Sequence, residues 1–366
     1  LAMQVQERIA RAKRAAARQT RTSSRTEVAV PENRHGSEPT SNESDAMPNP
    51  SVNQAARPPE DSDKWTKFVT VIPGQHGRFK LNTDMGPIYG GFSDVWQCDA
   101  KISDGRVITA AVKKFRAVRI ARDADPGTVT NKLLKRLTKE LDIWMALQHP
   151  HITPLLGFVL EDDLCIISPW YTNGNVADYI VRHPEADKIR IVSDVASGLA
   201  YLHTRVPPVV HGDMKPDNVL IDGAGRAVII DFGLSAIMDD DPTLVTSLAT
   251  SSLHDAGNAR WMAPELLMEE GCTRSPSTDV YSFGCVALQV YTGEIPFKDT
   301  PTFRIIYALI QGRTKPAAKR EDYPALRSPS VDWFYDLLTS CWDGNPTSRP
   351  SMVDVESILR NSTNEG

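Results

Sequence analysis

Two short stretches of this chain constrain its fold and chemistry more than any other feature: VVHGDMKPDNVLI at positions 209–221 and IDFGLS at positions 230–235. The residues in them that matter chemically are, in order, His211, Asp213, Lys215, Asn218 and Asp231. In phosphoryl transfer a carboxylate positions the attacking hydroxyl, while amide and carboxylate oxygens hold magnesium on the phosphates. The spacing HxDxxxxN followed by DFG has few chance matches, so it indicates a phosphoryl-transfer site.

The length and charge of the chain set broad limits. Its 366 residues accommodate a two-lobed catalytic unit with a tail, and a hydrophobic share of 41% supplies a core. The formal net charge of -5 gives no electrostatic reason to expect an anionic membrane or nucleic acid as a partner. We therefore expect no nucleic-acid partner.

The cysteines favour a reducing compartment. The thiols are odd in number, widely spaced and never arranged as CxxC, at positions Cys98, Cys165, Cys272, Cys285 and Cys341. We expect small buried or half-buried side chains that bind no metal. No apolar run reaches the length of about 18 residues that a membrane span needs, and the first residues lack the apolar stretch of a signal peptide. These features predict a protein of the cytoplasm or nucleus without a membrane span.

The first part of the chain differs in composition from the rest. Residues 1–25 hold seven Lys or Arg against a single acid, Glu7, with alanines between them, which favours a basic helical extension. The alternative to a solvated helix is a nuclear or membrane-surface signal. Residues 26–63 are rich in Pro, Ser, Asn and Glu and nearly free of large apolar residues, so we predict a disordered linker.

Hydrophobic periodicity divides residues 64–360 into two lobes, followed by a short tail at 361–366. Strand-like runs such as VITAAVKKF and LCIISPW dominate from about 79 to 170, with one helical segment, VTNKLLKRLTKELDIWMALQ. From 171 to 360 the pattern is helical, as in ADKIRIVSDVASGLAYLHTR. We predict an α+β fold with a small mostly β lobe, a larger mostly α lobe and a hinge near Trp170–Gly174.

Three downstream motifs indicate the class of phosphotransferase. They are RWMAPE at 260–265, DVYSFG at 279–284 and CWDGNPTSRP at 341–350. With them the chain resembles a eukaryotic protein kinase over about residues 79–360, and it is most similar to the tyrosine-kinase-like group. Small-molecule phosphotransferases also pair HGD and Asn with a later Asp, but their chemistry needs no long segment for docking a peptide. The resemblance implies a bilobal fold with ATP and Mg²⁺, or Mn²⁺, in the cleft and a protein as substrate.

The resemblance also implies a role for each polar residue of the opening motif. Asp213 accepts the proton of the substrate hydroxyl or orients it, and Lys215 steadies the transferring phosphoryl. Asn218 and Asp231 bind the metal ions. We expect His211 to be structural, since the phosphoryl-transfer template uses the neighbouring carboxylate.

A lysine in the small lobe completes the catalytic set. Lys113 in TAAVKKF occupies the position of the phosphate-holding lysine of kinases. Glu140 is its expected anionic partner, and Asp142 is the competitor. We favour Glu140 because it shares a helical face with Trp144, which would point inward.

The nucleotide loop, IYGGFSDVW, departs from the usual glycine pattern. Gly90 matches the middle glycine and Val95 the valine over the adenine, whereas Ile88 and Ser93 stand at the first and third glycine positions. Without those glycines the backbone approaches phosphate oxygens less easily. At the hinge, Ser168 predicts an open pocket behind the adenine. The full set of expected nucleotide contacts is Ile88, Gly90, Gly91, Ser93, Val95, Ala111, Lys113, Pro169, Tyr171, Leu220 and Asp231.

Features of the large lobe bear on support and specificity. Asp279 is expected to bond the backbone of the catalytic loop, and Arg349 to form a buried pair with Glu265. Lys215, two residues after the catalytic Asp, resembles Ser/Thr kinases and not tyrosine kinases. Asn258 replaces the threonine usual in Ser/Thr kinases, so tyrosine or dual specificity stays open.

Gly212 replaces the arginine that usually precedes the catalytic aspartate. In kinases that keep the arginine, a phosphate on the activation segment neutralises it and orders the segment. We therefore expect activity without phosphorylation at Thr243, Thr246, Ser247, Thr250, Ser251 or Ser252. The alternative function is a pseudokinase scaffold, favoured by Ile88 and Ser93 in the nucleotide loop. We expect a monomer or a transient dimer that acts in intracellular signalling.

Overall fold

The computed structural model describes residues 66–70, 76–89, 93–102, 105–115, 141, 143–160, 164–232, 258–268, 273–312 and 314–364. A sheet occupies the first part of these residues and helices the second. The α+β, two-lobed fold predicted from the sequence is therefore confirmed. The basic extension at 1–25 and the linker at 26–63 lie outside the described residues.

Seven antiparallel strands form one sheet. They are β1 (Thr66–Thr70), β2 (His76–Leu81), β3 (Ile88–Tyr89), β4 (Ser93–Lys101), β5 (Val107–Phe115), β6 (Gly157–Leu160) and β7 (Leu164–Pro169). The order is β2-β1-β6-β7-β5-β4-β3, and β2 also pairs with β4, so the sheet curls on itself. The small lobe, predicted to begin near residue 79, includes the earlier β1 and the start of β2, because these strands bond β6 and β4.

The two faces of this sheet have different neighbours. Pairing in register puts Val95 opposite Lys113 and Ser168 opposite Ala111. Residues two apart on a strand share a face, so these four side chains lie on one face of the sheet. The other face carries the core of the small lobe, formed by Phe79, Cys98, Ala100, Ala110, Val112, Val159, Cys165 and Ile167.

Helices build most of the second lobe. They are α1 (Val176–Arg182), α2 (Lys188–His203), α3 (Glu265–Met268), α4 (Pro276–Thr292), α5 (Thr302–Ile310), α6 (Asp332–Cys341) and α7 (Met352–Asn364). A hairpin of β8 (Val219–Ile221) and β9 (Ala227–Ile229) lies between α2 and α3 in the chain. Helix α2 contacts α4, α7 and β9, so it joins the helical core to the hairpin.

Helix α4 is the central buried element. Ser275 and Thr278 form a reciprocal capping box at its start, which satisfies two backbone donors. A Cβ on Gly284 would lie 2.6 Å from Nε1 of Trp342, so this position of DVYSFG needs a glycine for the helix to approach CW. Two of the three motifs that indicated the class, DVYSFG and CWDGNPTSRP, are thus packed against each other.

The structure describes four of the five cysteines. Cys98, Cys165, Cys285 and Cys341 are free buried thiols, as predicted, and Cys272 lies outside the described residues.

Of the predicted helical segment before residue 149, positions 141 and 143–146 are described and helical. Among the described residues, no helix is both long and apolar enough to cross a membrane.

Candidate active site

The β8–β9 hairpin brings the two predicted metal-binding residues to one end. Val219 pairs with Ile229, so Asn218 immediately precedes one strand and Asp231 closely follows the other. The backbone N–H of Ile230 donates to the carbonyl of Asn218 at 3.0 Å and joins the two arms beside Asp231. An amide side chain and a carboxylate are therefore located at the same end of the hairpin.

The catalytic carboxylate predicted from the sequence, Asp213, is held by two neighbours. Asn218 donates from Nδ2 to the Asp213 carbonyl at 2.7 Å and to its Oδ2 at 3.2 Å. Lys215 Nζ lies 2.9 Å from the same Oδ2. The Asp213 side chain keeps 39% of its exposure, whereas Lys215 keeps 17%. The carboxylate is thus oriented by Asn218 and Lys215, and it remains partly exposed to solvent.

Asp279, at the start of α4, accepts three hydrogen bonds. The backbone N–H groups of His211 and Gly212 donate to its carboxylate at 2.7 and 2.8 Å, which confirms the contact expected between Asp279 and the catalytic loop. The third partner is His203 Nε2, 2.9 Å from Oδ2. Because Asp279 is almost fully buried, these bonds replace water and fix the loop on the helix.

His211, for which a structural role was predicted, has backbone partners on both ring nitrogens. Its side chain is fully buried. The backbone N–H of Asp213 donates to Nδ1 at 3.2 Å, and Nε2 lies 3.0 Å from the carbonyl of Ile230. Both ring nitrogens are engaged with backbone groups, so the imidazole ties the catalytic loop to the strand that leads into DFG and is not placed to act as a base.

The two lobes are linked by an ion pair. Lys113 Nζ lies 2.5 Å from Asp231 Oδ2, although 118 positions separate the residues in the chain. Asp231 adopts a left-handed backbone conformation with φ of 61°, which is uncommon for a non-glycine residue. The next residue, Phe232, is buried and packs edge-on against Trp144 with ring centroids 5.1 Å apart. Asp231 is therefore held by the packing of its neighbour and by the lysine.

Trp144 points inward, as the helical pattern predicted, and its Nε1 donates to the Thr153 carbonyl at 2.8 Å. Glu140 and Asp142, the two candidate partners of Lys113, lie outside the described residues, as do Gly90 and Gly91. Among the residues that the structure describes, the carboxylate paired with Lys113 is that of Asp231.

The expected nucleotide contacts fall into two groups. Ile88, Val95 and Lys113 lie on one sheet face, because Val95 pairs with both of the others. Ile88, at the position of the first glycine, is 61% exposed. Ser93 is buried at the start of β4. Ala111 adjoins this group on the same face as Lys113.

The second group belongs to the hinge and the large lobe. Pro169 ends β7 opposite Ala110. Leu220 is half-buried in β8 and forms an isolated bridge with Asn175. Tyr171 donates from its hydroxyl to Thr153 Oγ1 at 3.2 Å, and burial raises the pKa of this hydroxyl. Its hydroxyl therefore ties the segment after β7 to Thr153.

The donor set fits a hard cation and nucleotide phosphates. Asn218 uses Nδ2 on Asp213, which leaves its Oδ1 as the oxygen that a metal would take. Asp231 contributes carboxylate oxygens, and Lys113 a cation beside them. Oxygen ligands suit Mg²⁺, which usually takes few protein ligands and completes its shell with phosphate oxygens and water. In the described part of the chain, no group of three or more His, Cys, Asp or Glu side chains could hold a metal by itself.

RWMAPE is anchored at both ends. Arg260 donates to the carbonyls of Pro296, Phe297 and Thr300 at 2.7 to 3.1 Å. Glu265 forms a buried pair with Arg349, as predicted. The side chain of Asn258 is not among those the structure describes. RWMAPE is therefore fixed to the helical lobe at both of its ends.

Two residues that contact the catalytic loop or its support were not predicted from the sequence. His203, the last residue of α2, contacts Asp279, and a polar residue at the end of an amphipathic helix was the signal that could have indicated it. Arg274 donates to the carbonyl of Gly212. No local pattern marks Arg274, because its partner is 62 positions away.

Comparison with known proteins agrees with this geometry. The family model described as protein kinase domain matches residues 82–361. Probable serine/threonine-protein kinase drkD of Dictyostelium discoideum is 30% identical over 242 residues, covering 65% of this chain and 17% of that protein. Its relative drkB is 28% identical over 284 residues, covering 76% of this chain and 36% of that protein.

Serine/threonine-protein kinase CTR1 of Arabidopsis thaliana is 29% identical over 280 residues, which cover 74% of this chain and 30% of CTR1. The chain therefore matches about a third or less of the length of these relatives. The family match spans strands β3 to β9, the catalytic loop, helices α1 to α6 and most of α7. The chain belongs to the protein kinase domain family.

Proposed function

We propose that this protein transfers the γ-phosphate of ATP to serine or threonine hydroxyls of protein substrates. The observation that carries the proposal is the catalytic loop, in which Asp213 is bonded by Asn218 and approached by Lys215 at 2.9 Å while its carboxylate stays accessible. Phosphoryl transfer requires little covalent chemistry from the protein and depends on positioning and electrostatics.

Each polar residue has one task in this proposal. Asp213 receives or orients the proton of the acceptor hydroxyl, and Lys215 adds positive charge beside it. Asn218 and Asp231 would hold Mg²⁺, with Mn²⁺ as the alternative ion, and Lys113 would bond phosphate oxygens. When bound, the metal–nucleotide complex supplies the transferable phosphoryl group and offsets its charge.

Serine/threonine specificity rests on two supports. Lys215 follows the catalytic aspartate by two residues and is largely buried against it. The named relatives are described as serine/threonine-protein kinases. Similarity to CTR1, together with RWMAPE and DVYSFG, favours the tyrosine-kinase-like group. Tyrosine or dual specificity is the alternative, because Asn258 stands where threonine is usual.

We further propose that activity does not depend on a phosphate in the segment 243–252. Gly212 offers no cation for such a phosphate. The expected result is that phosphatase-treated protein keeps its phosphotransfer rate. A rate abolished by phosphatase and restored by rephosphorylation would refute this part of the proposal.

A pseudokinase scaffold is the second candidate. The exposed Ile88 and the buried Ser93 favour it, because they replace glycines that let the backbone approach phosphates. Against it stand the Lys113–Asp231 pair and the oriented Asp213. A small-molecule phosphotransferase is a third class, and it predicts transfer to amino-sugars or choline and none to peptides.

One experiment separates these functions. Wild type, Asp213→Asn and Asp217→Asn would be assayed with labelled ATP and peptide libraries that contain Ser, Thr or Tyr acceptors. Removing the general base predicts a loss of about 100-fold or more for Asp213→Asn. Asp217, an exposed carboxylate of the same loop, is the matched control and should leave the rate unchanged. Equal signal from wild type and Asp213→Asn would refute catalysis at this site.

The proposal extends to the organisation of the protein. We propose residues 64–360 as the catalytic unit, preceded by the basic extension and linker, and a monomer or transient dimer that acts in signalling. Light scattering during gel filtration at several concentrations tests the oligomeric state, and a stable dimer at low concentration would contradict it.

A further inference from the structure

Arg274 approaches the catalytic loop from outside it. The residue precedes α4, and its Nε donates to the Gly212 carbonyl at 2.7 Å. Its guanidinium shares a small cavity with Asp213, Lys215 and Trp261. A cation of the large lobe therefore contacts the residue that precedes Asp213 and lines the same cavity as Asp213.

The backbone around Gly212 is held from both sides by the same part of the fold. Its N–H donates to Asp279 Oδ1 at 2.8 Å, and its carbonyl accepts from Arg274. Asp279 and Arg274 are close in sequence at the start of α4. The two peptide units that flank Gly212 are thereby each held by one hydrogen bond, and the second of them leads directly into Asp213.

The conformation of Gly212 makes this arrangement possible. Its φ is 78°, in the left-handed region that costs a glycine little and other residues more. That conformation directs the Gly212 carbonyl towards Arg274. Glycine has no side chain, so residue 212 itself brings no cation to the loop. The guanidinium of Arg274 instead lies at the Gly212 carbonyl.

Electrostatics supports a functional contact. Burial lowers the pKa of Arg274, whereas the negative charges of Asp213 and Asp279 raise it. An arginine remains protonated under all ordinary conditions, so a partly desolvated positive charge faces the two carboxylates. The partial burial of Arg274 makes this attraction stronger than between two fully exposed groups.

We propose that Arg274 is a positioning residue for Asp213, a built-in cation that holds the catalytic loop where residue 212 provides none. The inference rests on the proposed kinase function and deepens it. It explains how the backbone beside Asp213 is held, because the guanidinium that bonds the Gly212 carbonyl comes from the folded helical lobe.

The test compares Arg274→Gln and Arg274→Lys with wild type. We expect Arg274→Gln to lower kcat about 10- to 100-fold, the effect of a small misplacement of a reacting group, with the KM for ATP changed less than about twofold. Arg274→Lys keeps a cation and should restore most of kcat. Arg320→Gln is the matched control, since Arg320 also donates to backbone carbonyls, those of Leu326 and Ser328, and it should leave kcat unchanged.

Thermal unfolding and binding of a fluorescent ATP analogue identify the folded fraction, so that kcat refers to folded enzyme. A folded Arg274→Gln variant with kcat within twofold of wild type would overturn the role of Arg274, as would a lysine variant as impaired as the glutamine variant. If the glutamine variant does not fold, the lysine variant decides: near-normal kcat supports the proposal, and a large loss in folded protein overturns it. Wild type equal to Asp213→Asn would instead overturn the kinase function and this role with it.

Discussion

Arg349 and Glu265 form a buried two-point ion pair across 84 positions of the chain, with Nη1 2.6 Å from Oε1 and Nη2 2.8 Å from Oε2. The guanidinium also donates to the carbonyls of Ser277 and Asp343. Because all of these bonds are directional, the pair joins the end of RWMAPE to α4 and to the segment before α7. The lobe is therefore held at this point by charge as well as by apolar packing.

Removing one partner of this pair should be severely destabilising. Arg349→Met strands the Glu265 carboxylate in a buried site, and we expect the free energy of unfolding to fall by about 3 to 5 kcal/mol. The double variant Arg349→Met/Glu265→Leu should recover much of that loss, because no unpaired charge remains. Urea unfolding measures the free energy of unfolding of the single and the double variant. Arg360→Met, which breaks the exposed pair with Glu356, is the control and should change little; a similar loss in all three would contradict the argument.

Asp279→Asn should loosen the catalytic loop. An amide group cannot accept all three bonds that the carboxylate accepts, and leaving a buried donor unpaired costs about 1 to 3 kcal/mol. We expect the amide protons of His211 and Gly212 to exchange faster with solvent. Asp222→Asn, in the turn between β8 and β9, serves as control. Unchanged protection at 211 and 212 in Asp279→Asn would show that the loop does not depend on this helix.

Lys113→Met should abolish most phosphotransfer without unfolding the protein. The change removes the cation beside Asp231, and loss of one electrostatic contact to developing charge costs about 100- to 1000-fold in kcat. Lys114→Met removes the next lysine, which points to the opposite face of β5, and should keep most activity. Kinetic assays on both variants, with circular dichroism as a check of folding, decide the matter; equal losses would contradict the assignment to Lys113.

The buried thiols predict a pH dependence. Burial raises the pKa of Cys98 and of Cys341 to about 12, from 9.0. Above pH 9.0 the unfolded thiols ionise while the folded ones keep their protons, so the native state binds more protons and their contribution to stability falls as pH rises from 9.0 towards about 12. Iodoacetamide at pH 9 should label neither residue in native protein and both in urea, with glutathione in the same tube as control. Rapid native labelling, detected by mass spectrometry, would contradict their burial.

Gly212 should resist substitution for a backbone reason. At φ of 78° a Cβ costs about 1 to 2 kcal/mol, so Gly212→Ala should lower the free energy of unfolding by about that amount. Gly223→Ala is the matched control, because that glycine has no left-handed φ and open space around it, and the change should be neutral or slightly stabilising. Denaturant titration of both variants measures the difference, and equal stability would show that the backbone at 212 relaxes.

Much of the site was predictable because its spacing is local. Asp213, Lys215 and Asn218 belong to one loop of six residues, and their mutual contacts follow from its short path. The strand VITAAVKKF was predictable from its β-branched content. The early strand β1 was harder to assign to the small lobe. It pairs with β2 and with β6, and β6 lies far from it in the chain, so no local pattern indicates that pairing.

The sequence by itself determined which residue types form the candidate site, since HxDxxxxN and DFG place them at fixed local distances that can be read directly. The tertiary structure decided how those residues are oriented. Lys113 faces Asp231 across 118 positions, and Arg274 reaches Gly212 across 62. Such contacts depend on how strands and helices pack, and no local period encodes them. For that reason the residues that chemistry demands were visible in the sequence, whereas the cation that supports them became visible only in the fold.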